Sequence, residues 1–193
     1  EPVQRLFKLR DGERVVAAIS LDSRVTSKIA ARKSGTEPAN HAIAVSTDGY
    51  ALRFSLEPFA EPSTRGGRRF ARPSQGAQIV GVATIRRGAV IIAATRQARA
   101  ALCNAREIKF LSGPGRGVIL IKLKREQDSV LGFVGSTGDR DFLTVETTRG
   151  ASQNISTAKY AVTGRGGKGR ELLQRGEFTK VIQPAITVPS LSE

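Results

Sequence analysis

The 193-residue sequence is poor in the side chains that carry most enzyme chemistry. It contains one cysteine, one histidine, two tyrosines, no methionine and no tryptophan. A single cysteine cannot form a disulfide within the chain, which fits a reducing cytoplasm, and one histidine with one cysteine cannot supply an ordinary zinc site. No apolar run of about 18 residues is present, so nothing in the sequence is expected to span a membrane. We therefore expect no catalytic residue, no metal site and no cofactor in this chain.

Basic residues are in large excess. Lysine and arginine number 31 against 17 aspartate and glutamate, which gives a net charge of +14 and a pI near 11.0. An excess of this size predicts a polyanionic partner. The basic residues fall in glycine-rich turns, and no basic amphipathic helix is visible, so nucleic acid is favoured over a membrane surface.

A pattern of about 50 residues repeats along the chain. Val80 and Val130 are 50 residues apart, and Val130 and Val181 are 51 apart. One half of the repeat is a hydrophobic strand after a polar turn, at residues 13–17, 77–81, 128–132 and 178–182. The other half is a β-branched strand closed by a turn, at residues 43–49, 91–97 and 145–150. Between the halves lie three basic glycine-rich segments, here called loop 1 (64–69), loop 2 (113–117) and loop 3 (164–169).

The repeat predicts an all-β fold: a propeller-like β-pinwheel of about four blades, with strands exchanged between neighbouring blades. Residues 95–107 have helix-forming composition, but they occupy a hairpin position of the repeat and are predicted as a hairpin. We expect one domain over residues 1–193, with an inserted surface loop at 23–41 that carries a solvated His41, and a tail at 184–193. The start within a repeat and the absence of methionine suggest a piece of a larger protein.

The three loops are the predicted contact with duplex DNA. Glycine allows a positive φ and close approach to a phosphate, while arginine and lysine neutralise the phosphate charge. The predicted DNA-binding residues are Arg65, Arg68, Arg69, Arg72, Arg116, Lys122, Lys124, Arg165, Lys168 and Arg170. The predicted turn glycines are Gly66, Gly67, Gly115, Gly117, Gly166, Gly167 and Gly169. Loop 3 also satisfies the pattern G-x-G-x-x-G, but no βαβ unit surrounds it, which argues against a dinucleotide site.

The segments 47–54, 111–118 and 165–169 resemble the C-terminal β-pinwheel domains of type IIA topoisomerase A subunits, the family of DNA gyrase and topoisomerase IV. The resemblance implies a non-catalytic domain that binds duplex DNA without base specificity, bends it around a basic rim and presents it to the cleavage core. It implies as partners the rest of the A subunit and the ATPase B subunit. ATP and Mg²⁺ are then expected only in the parent holoenzyme, in the bacterial cytoplasm at the nucleoid.

The loops depart from the gyrase signature Q-R-R-G-G-R-G of that family. Residues 63–69 keep the central R-G-G-R but lack the leading Gln-Arg and the final Gly, and residues 163–169 come closer but lie in the last repeat. This favours a topoisomerase IV-like domain over a gyrase-type chiral wrapping domain. Two further readings stay open: a WD-type propeller that serves as a protein scaffold, against which the absence of tryptophan argues, and an RNA-binding protein.

Overall fold

The computed structural model describes residues 5, 8–22, 40–64, 67–123, 127–138 and 140–183. From residue 8 onward, the regular structure of the described residues is β apart from two short 3-10 turns, Glu57–Phe59 and Ala105–Glu107. The strands are β1 (Asn40–Ser46), β2 (Tyr50–Phe54), β3 (Ile79–Arg86), β4 (Val90–Thr95), β5 (Arg99–Asn104), β6 (Phe110–Leu111), β7 (Val118–Ile119), β8 (Val130–Ser136), β9 (Phe142–Thr147), β10 (Ser152–Ser156), β11 (Arg170–Glu171) and β12 (Phe178–Ile182). The predicted all-β fold is confirmed.

The strands form three sheets, each centred on one hairpin. Blade 1 has the order β3-β1-β2-β6, with β7 also on β2; blade 2 has the order β11-β5-β4-β8; and blade 3 has the order β10-β9-β12. The hairpin strands pair antiparallel in every blade. Strand β10 is the second hairpin strand of blade 3, as β2 and β5 are of blades 1 and 2. Strand β2 also pairs with β6 and β7, and β5 also pairs with β11, whereas in the described residues β10 pairs with β9 alone.

Strands are exchanged between blades, as the repeat predicts. After the β4–β5 hairpin of blade 2, the chain returns to blade 1, where β6 and β7 pair with β2. It then comes back to blade 2 with β8, which pairs with β4. The next repeat does the same: after the hairpin of blade 3, β11 returns to pair with β5, and β12 pairs with β9. Each chain segment that returns to the preceding blade contains one of the glycine loops, loop 2 or loop 3.

Two apolar layers join the three blades. Ile43 of blade 1 packs in one layer with Ile91 and Cys103 of blade 2, all fully buried. Ile92 of blade 2 packs with Val145 of blade 3 in the other layer. Strand β4 therefore contributes alternate residues to both layers, as expected of a strand covered on both faces. At about 25 cal/mol per Å² of buried apolar area, these layers are the main stabilising contribution to the stack.

The hairpin predicted within residues 95–107 is confirmed as β4 and β5. Its turn ends at Ala98, which has a φ of 53° and is the one non-glycine residue with positive φ in the described part of the chain. The matching turns of the other two hairpins have glycine there, Gly49 with a φ of 85° and Gly150 with a φ of 77°. The repeat thus outweighs the helix-forming composition of residues 96–103. Strand β5 is paired on both sides, by β4 and by β11.

Three sequence predictions need correction. The expected strand at 13–17 does not form, and Val15 is 51% exposed. His41 is not a solvated loop residue: it lies in β1, is 1% exposed and contacts the buried Arg53. The predicted insertion therefore ends before β1, and its residues 23–39 lie outside the described residues, as does the predicted tail at 184–193.

Candidate nucleic-acid interface

The three glycine loops lie next to one another because each contacts the segment that follows the loop before it. Ala71, just after loop 1, forms a parallel bridge with Gly115 of loop 2, and the Arg72 amide donates to the Gly115 carbonyl at 2.9 Å. The contact recurs one repeat later: Ile121 bridges to Gly167 of loop 3, and the Lys122 amide donates to the Gly167 carbonyl at 2.8 Å. We call loops 1–3 with Ala71–Arg72 and Ile121–Lys122 the loop row.

Glycine is required in the loop row by backbone conformation and by space. Gly67, Gly117 and Gly169 occupy the same position of the repeat, with φ values of 66°, 85° and 69°. A Cβ on Gly117 would overlap the Ala51 carbonyl, and one on Gly169 would lie 2.7 Å from the Ala100 carbonyl oxygen. Return strands β7 and β11 can therefore pair with their hairpins only if this residue is glycine.

The other predicted turn glycines differ in their roles. Gly166 also has a positive φ, of 78°, and its amide donates to the Leu120 carbonyl at 2.8 Å. Gly115 and Gly167 form the two parallel bridges of the loop row without a left-handed backbone. A Cβ on Gly115 would come within 2.8 Å of the Leu111 side chain, so contact with Leu111 favours glycine at this position. Gly66 lies outside the described residues.

Most of the predicted DNA-binding side chains are exposed on this row. The eight exposed ones in the described residues are Arg68, Arg69, Arg72, Arg116, Lys122, Arg165, Lys168 and Arg170. The other two, Arg65 and Lys124, lie outside the described residues. Each loop therefore contributes exposed cationic side chains, and two bridges join these three segments of the chain.

Three of these cations are partly held by the protein itself. The Arg116 guanidinium lies 4.4 Å from the centre of the Tyr50 ring, and that of Arg170 lies 5.8 Å from the centre of the Tyr160 ring, both within the range of cation–π attraction. Arg165 donates from Nε to the Glu107 carbonyl at 2.8 Å. Arg165 thus links loop 3 to the turn after β5, and its guanidinium keeps further donors for an anion.

One residue that supports the row was not predicted from the sequence. Arg99 of β5 donates from Nη1 to the Gly169 carbonyl at 2.9 Å, and its Nη2 pairs with the Glu171 carboxylate at 2.6 Å. The Arg99 side chain is 12% exposed and its bond to Gly169 is partly buried, whereas Glu171 is 52% exposed, so water screens the ion pair. The strand position of Arg99 conceals its role, because only the return of β11 brings loop 3 to it.

No catalytic arrangement is formed by the titratable residues that the structure describes. No three side chains of His, Cys, Asp or Glu converge there as metal ligands. Burial raises the pKa of the Cys103 thiol to about 12; the Glu107 carboxylate adds to this shift and Arg165 opposes it. A thiol so strongly protonated is a packing residue and not a nucleophile. Among the described residues no helix has the length and apolar character needed to cross a bilayer.

Comparisons with known proteins agree with this architecture. Residues 40–86 and 89–134 match the family model described as the DNA gyrase C-terminal domain, a β-propeller. No curated protein matches the chain. Among solved structures, the C-terminal domain of a DNA topoisomerase IV superposes with a TM-score of 0.73 at 14% identity, covering 94% of this chain and 54% of that one.

Two further solved structures are similar. A DNA gyrase A C-terminal domain gives a TM-score of 0.69 at 14% identity, with 96% of this chain and 58% of that chain covered. The C-terminal domain of E. coli ParC gives 0.55 at 17% identity, with 75% and 62% covered. At these identities the likeness shows the fold, and the chain spans a little over half the length of the domains it matches. The predicted resemblance and the pinwheel fold are confirmed.

Proposed function

Because residues 40–134 carry the repeat of the DNA gyrase C-terminal β-propeller, we propose that this chain binds and bends duplex DNA along the loop row. Binding is independent of base sequence, since the cations stand on loops and contact the phosphate backbone. The domain has no catalytic role of its own. It serves as the DNA-binding domain of a type IIA topoisomerase A subunit and acts with the remainder of that subunit and an ATPase B subunit.

The observation that carries the proposal is the repeated contact between consecutive loops. The bridges Ala71–Gly115 and Ile121–Gly167 have the same geometry and join all three loops. A curved duplex can then meet cations from each loop in turn, instead of isolated charges on separate faces. Smooth bending of a 20–30 base-pair site costs on the order of 1–6 kcal/mol, so several simultaneous phosphate contacts are needed to offset it.

Salt dependence of DNA binding tests the proposal. Arg68→Gln with Lys168→Gln removes one cation from loop 1 and one from loop 3 without changing any glycine. Each lost phosphate contact reduces the slope of log K against log salt by roughly 0.9, so we expect a loss of about 2. The loss should be equal on duplexes of unrelated sequence, measured by fluorescence anisotropy.

The matched control is Arg140→Gln with Arg149→Gln. These arginines are exposed and lie in the two turns that flank β9, outside the loop row. The control removes the same charge, and its salt slope should stay that of the parent. An unchanged slope in the Arg68/Lys168 variant, or tighter binding to an RNA duplex than to DNA, contradicts the proposal.

We further propose that the parent enzyme resembles topoisomerase IV more than gyrase. The support is that loop 1 lacks the leading Gln-Arg and the final Gly of the gyrase signature. The subunit works in the bacterial cytoplasm, and the holoenzyme supplies ATP and Mg²⁺. A topology assay of the holoenzyme with and without this domain tests the proposal: decatenation should depend on the domain, and no negative supercoils should accumulate.

A further inference from the structure

A second basic site lies outside the loop row, at the junction of blades 1 and 2. A cavity of about 480 Å³ opens between the β3–β4 turn and the 3-10 turn after β5. Its lining residues are His41, Arg53, Arg86, Arg87, Gly88, Ala89, Asn104, Ala105 and Arg106. Among the described residues, this set contains four guanidiniums and one imidazole.

The inner part of this cavity is formed by a buried, hydrogen-bonded arginine. Arg53 is 2% exposed and donates from Nε to the Ile108 carbonyl at 2.7 Å and from Nη2 to the Arg106 carbonyl at 3.3 Å. Its Nη1 lies 3.1 Å from His41 Nε2. Because a guanidinium has no acceptor, the imidazole nitrogen accepts this bond. Arg53 thus fixes the 105–107 turn against blade 1 and places positive charge behind the cavity.

The outer part carries three exposed guanidiniums, those of Arg86, Arg87 and Arg106. Arg86 and Arg87 stand side by side before Gly88, whose φ of 83° turns the chain from β3 into β4. Arg106 is on the opposite turn. None of the three side chains forms a hydrogen bond or ion pair with another described residue. Like charges gathered around one cavity repel each other, and a bound anion removes that cost.

We propose that this cavity binds a phosphate group, with Arg86, Arg87 and Arg106 as its ligands and Arg53 as a positioning residue. Planar guanidiniums offer paired donors that match the oxygens of a phosphate better than lysines do. The phosphate can be free or part of a DNA backbone. The cavity lies close to the loop row, where DNA is proposed to bind. Arg106 precedes Glu107, and the Glu107 carbonyl accepts a hydrogen bond from Arg165 of loop 3. For that source alone, the inference rests on the proposed DNA binding.

Inorganic phosphate is the first probe, at constant ionic strength against chloride. The readout is the backbone amide resonances of Gly88 and Ala89, which line the cavity. We expect a saturable shift in the parent chain. In Arg86→Gln with Arg87→Gln the apparent affinity should fall at least about tenfold, since two charge-assisted hydrogen bonds are lost. Arg106→Gln should weaken binding as a second, independent variant.

The control Arg140→Gln with Arg149→Gln should keep the parent affinity for phosphate. A salt titration with duplex DNA then identifies the source. A slope reduced by about 2 in the Arg86/Arg87 variant assigns the cavity to a DNA phosphate, and an unchanged slope assigns it to a free phosphate. If neither inorganic phosphate nor DNA distinguishes this variant from the control, the inference is wrong. Failure of the Arg68/Lys168 experiment alone overturns DNA binding by the loop row but leaves the phosphate site standing.

Discussion

Replacing Gly117 by alanine should show how tightly loop 2 packs against β2. A left-handed backbone costs an L-residue roughly 1–2 kcal/mol. At Gly117 the new Cβ would also overlap the Ala51 carbonyl and lie 2.8 Å from Leu52 Cβ. The loop must then move away from β2, which weakens the pairing of Val118 with Ala51. Losing about two ladder hydrogen bonds adds on the order of 1–3 kcal/mol, so we expect a total of about 2–5 kcal/mol.

The repeat supplies matched controls for this substitution. Gly67 has nearly the same conformation, with a φ of 66°, but no described atom lies within 4 Å of its ideal Cβ. Gly67→Ala should therefore cost only the conformational term, about 1–2 kcal/mol. Gly169→Ala should fall between the two, because its Cβ would lie 2.7 Å from the Ala100 carbonyl oxygen.

Urea denaturation followed by circular dichroism gives the three free energies of unfolding. For a chain of this size, each kcal/mol corresponds to a shift of roughly 2–4 °C in the melting temperature, which offers a second readout. The ranking Gly117 above Gly169 above Gly67 is the expected result. Equal losses at Gly67 and Gly117, within about 0.5 kcal/mol, would refute the idea that close approach to β2 is what requires glycine.

Two further predictions concern buried polar groups. Cys103, with a pKa raised to about 12, should resist alkylation at pH 8 in the native chain and react only at the rate of unfolding, and fast labelling of folded protein would contradict its burial. Arg53→Met should lower the free energy of unfolding by roughly 2–4 kcal/mol in urea, because the carbonyls of Ile108 and Arg106 lose their donor. A change below about 0.5 kcal/mol would show that water or a neighbouring group replaces the guanidinium.

The repeat period predicts much of the fold, but not that residues 13–17 form no strand. It identifies the hairpins correctly, even where Ala98 stands in a left-handed turn that usually favours glycine. It fails at residues 13–17, which have the composition of a strand. A strand also needs a free edge, and in blade 1 both edges of the β1–β2 hairpin are occupied, by β3 and by the returning β6 and β7. Amino-acid composition does not show which strand edges are already paired.

The loop row was predictable and the phosphate cavity was not. Basic residues within repeated glycine segments stand out in the sequence, and the eight of them that the structure describes are exposed. The cavity, by contrast, is assembled from β1, β2, the β3–β4 turn and the turn after β5. Only the crossing from blade 2 back to blade 1 brings Arg106 to Arg53. His41 gave no signal of its own, although Ile43 and Val45, at alternate positions of the same strand, are core residues.

Strand exchange also determines when each blade can be completed during translation. Blade 1 begins at Asn40 and receives its last strand, β7, only at Ile119; blade 2 begins at Val90 and is completed at Glu171. Ribosomes add roughly 5–20 residues per second, so the edge of β2 or of β5 stays unpaired for about 3–13 s before its last partner strand is made. During that interval the nascent edge is open to pairing with another chain. The order of translation therefore dictates the order of blade closure, and a chaperone or fast elongation between residues 54 and 118 would protect the open edge of the first blade.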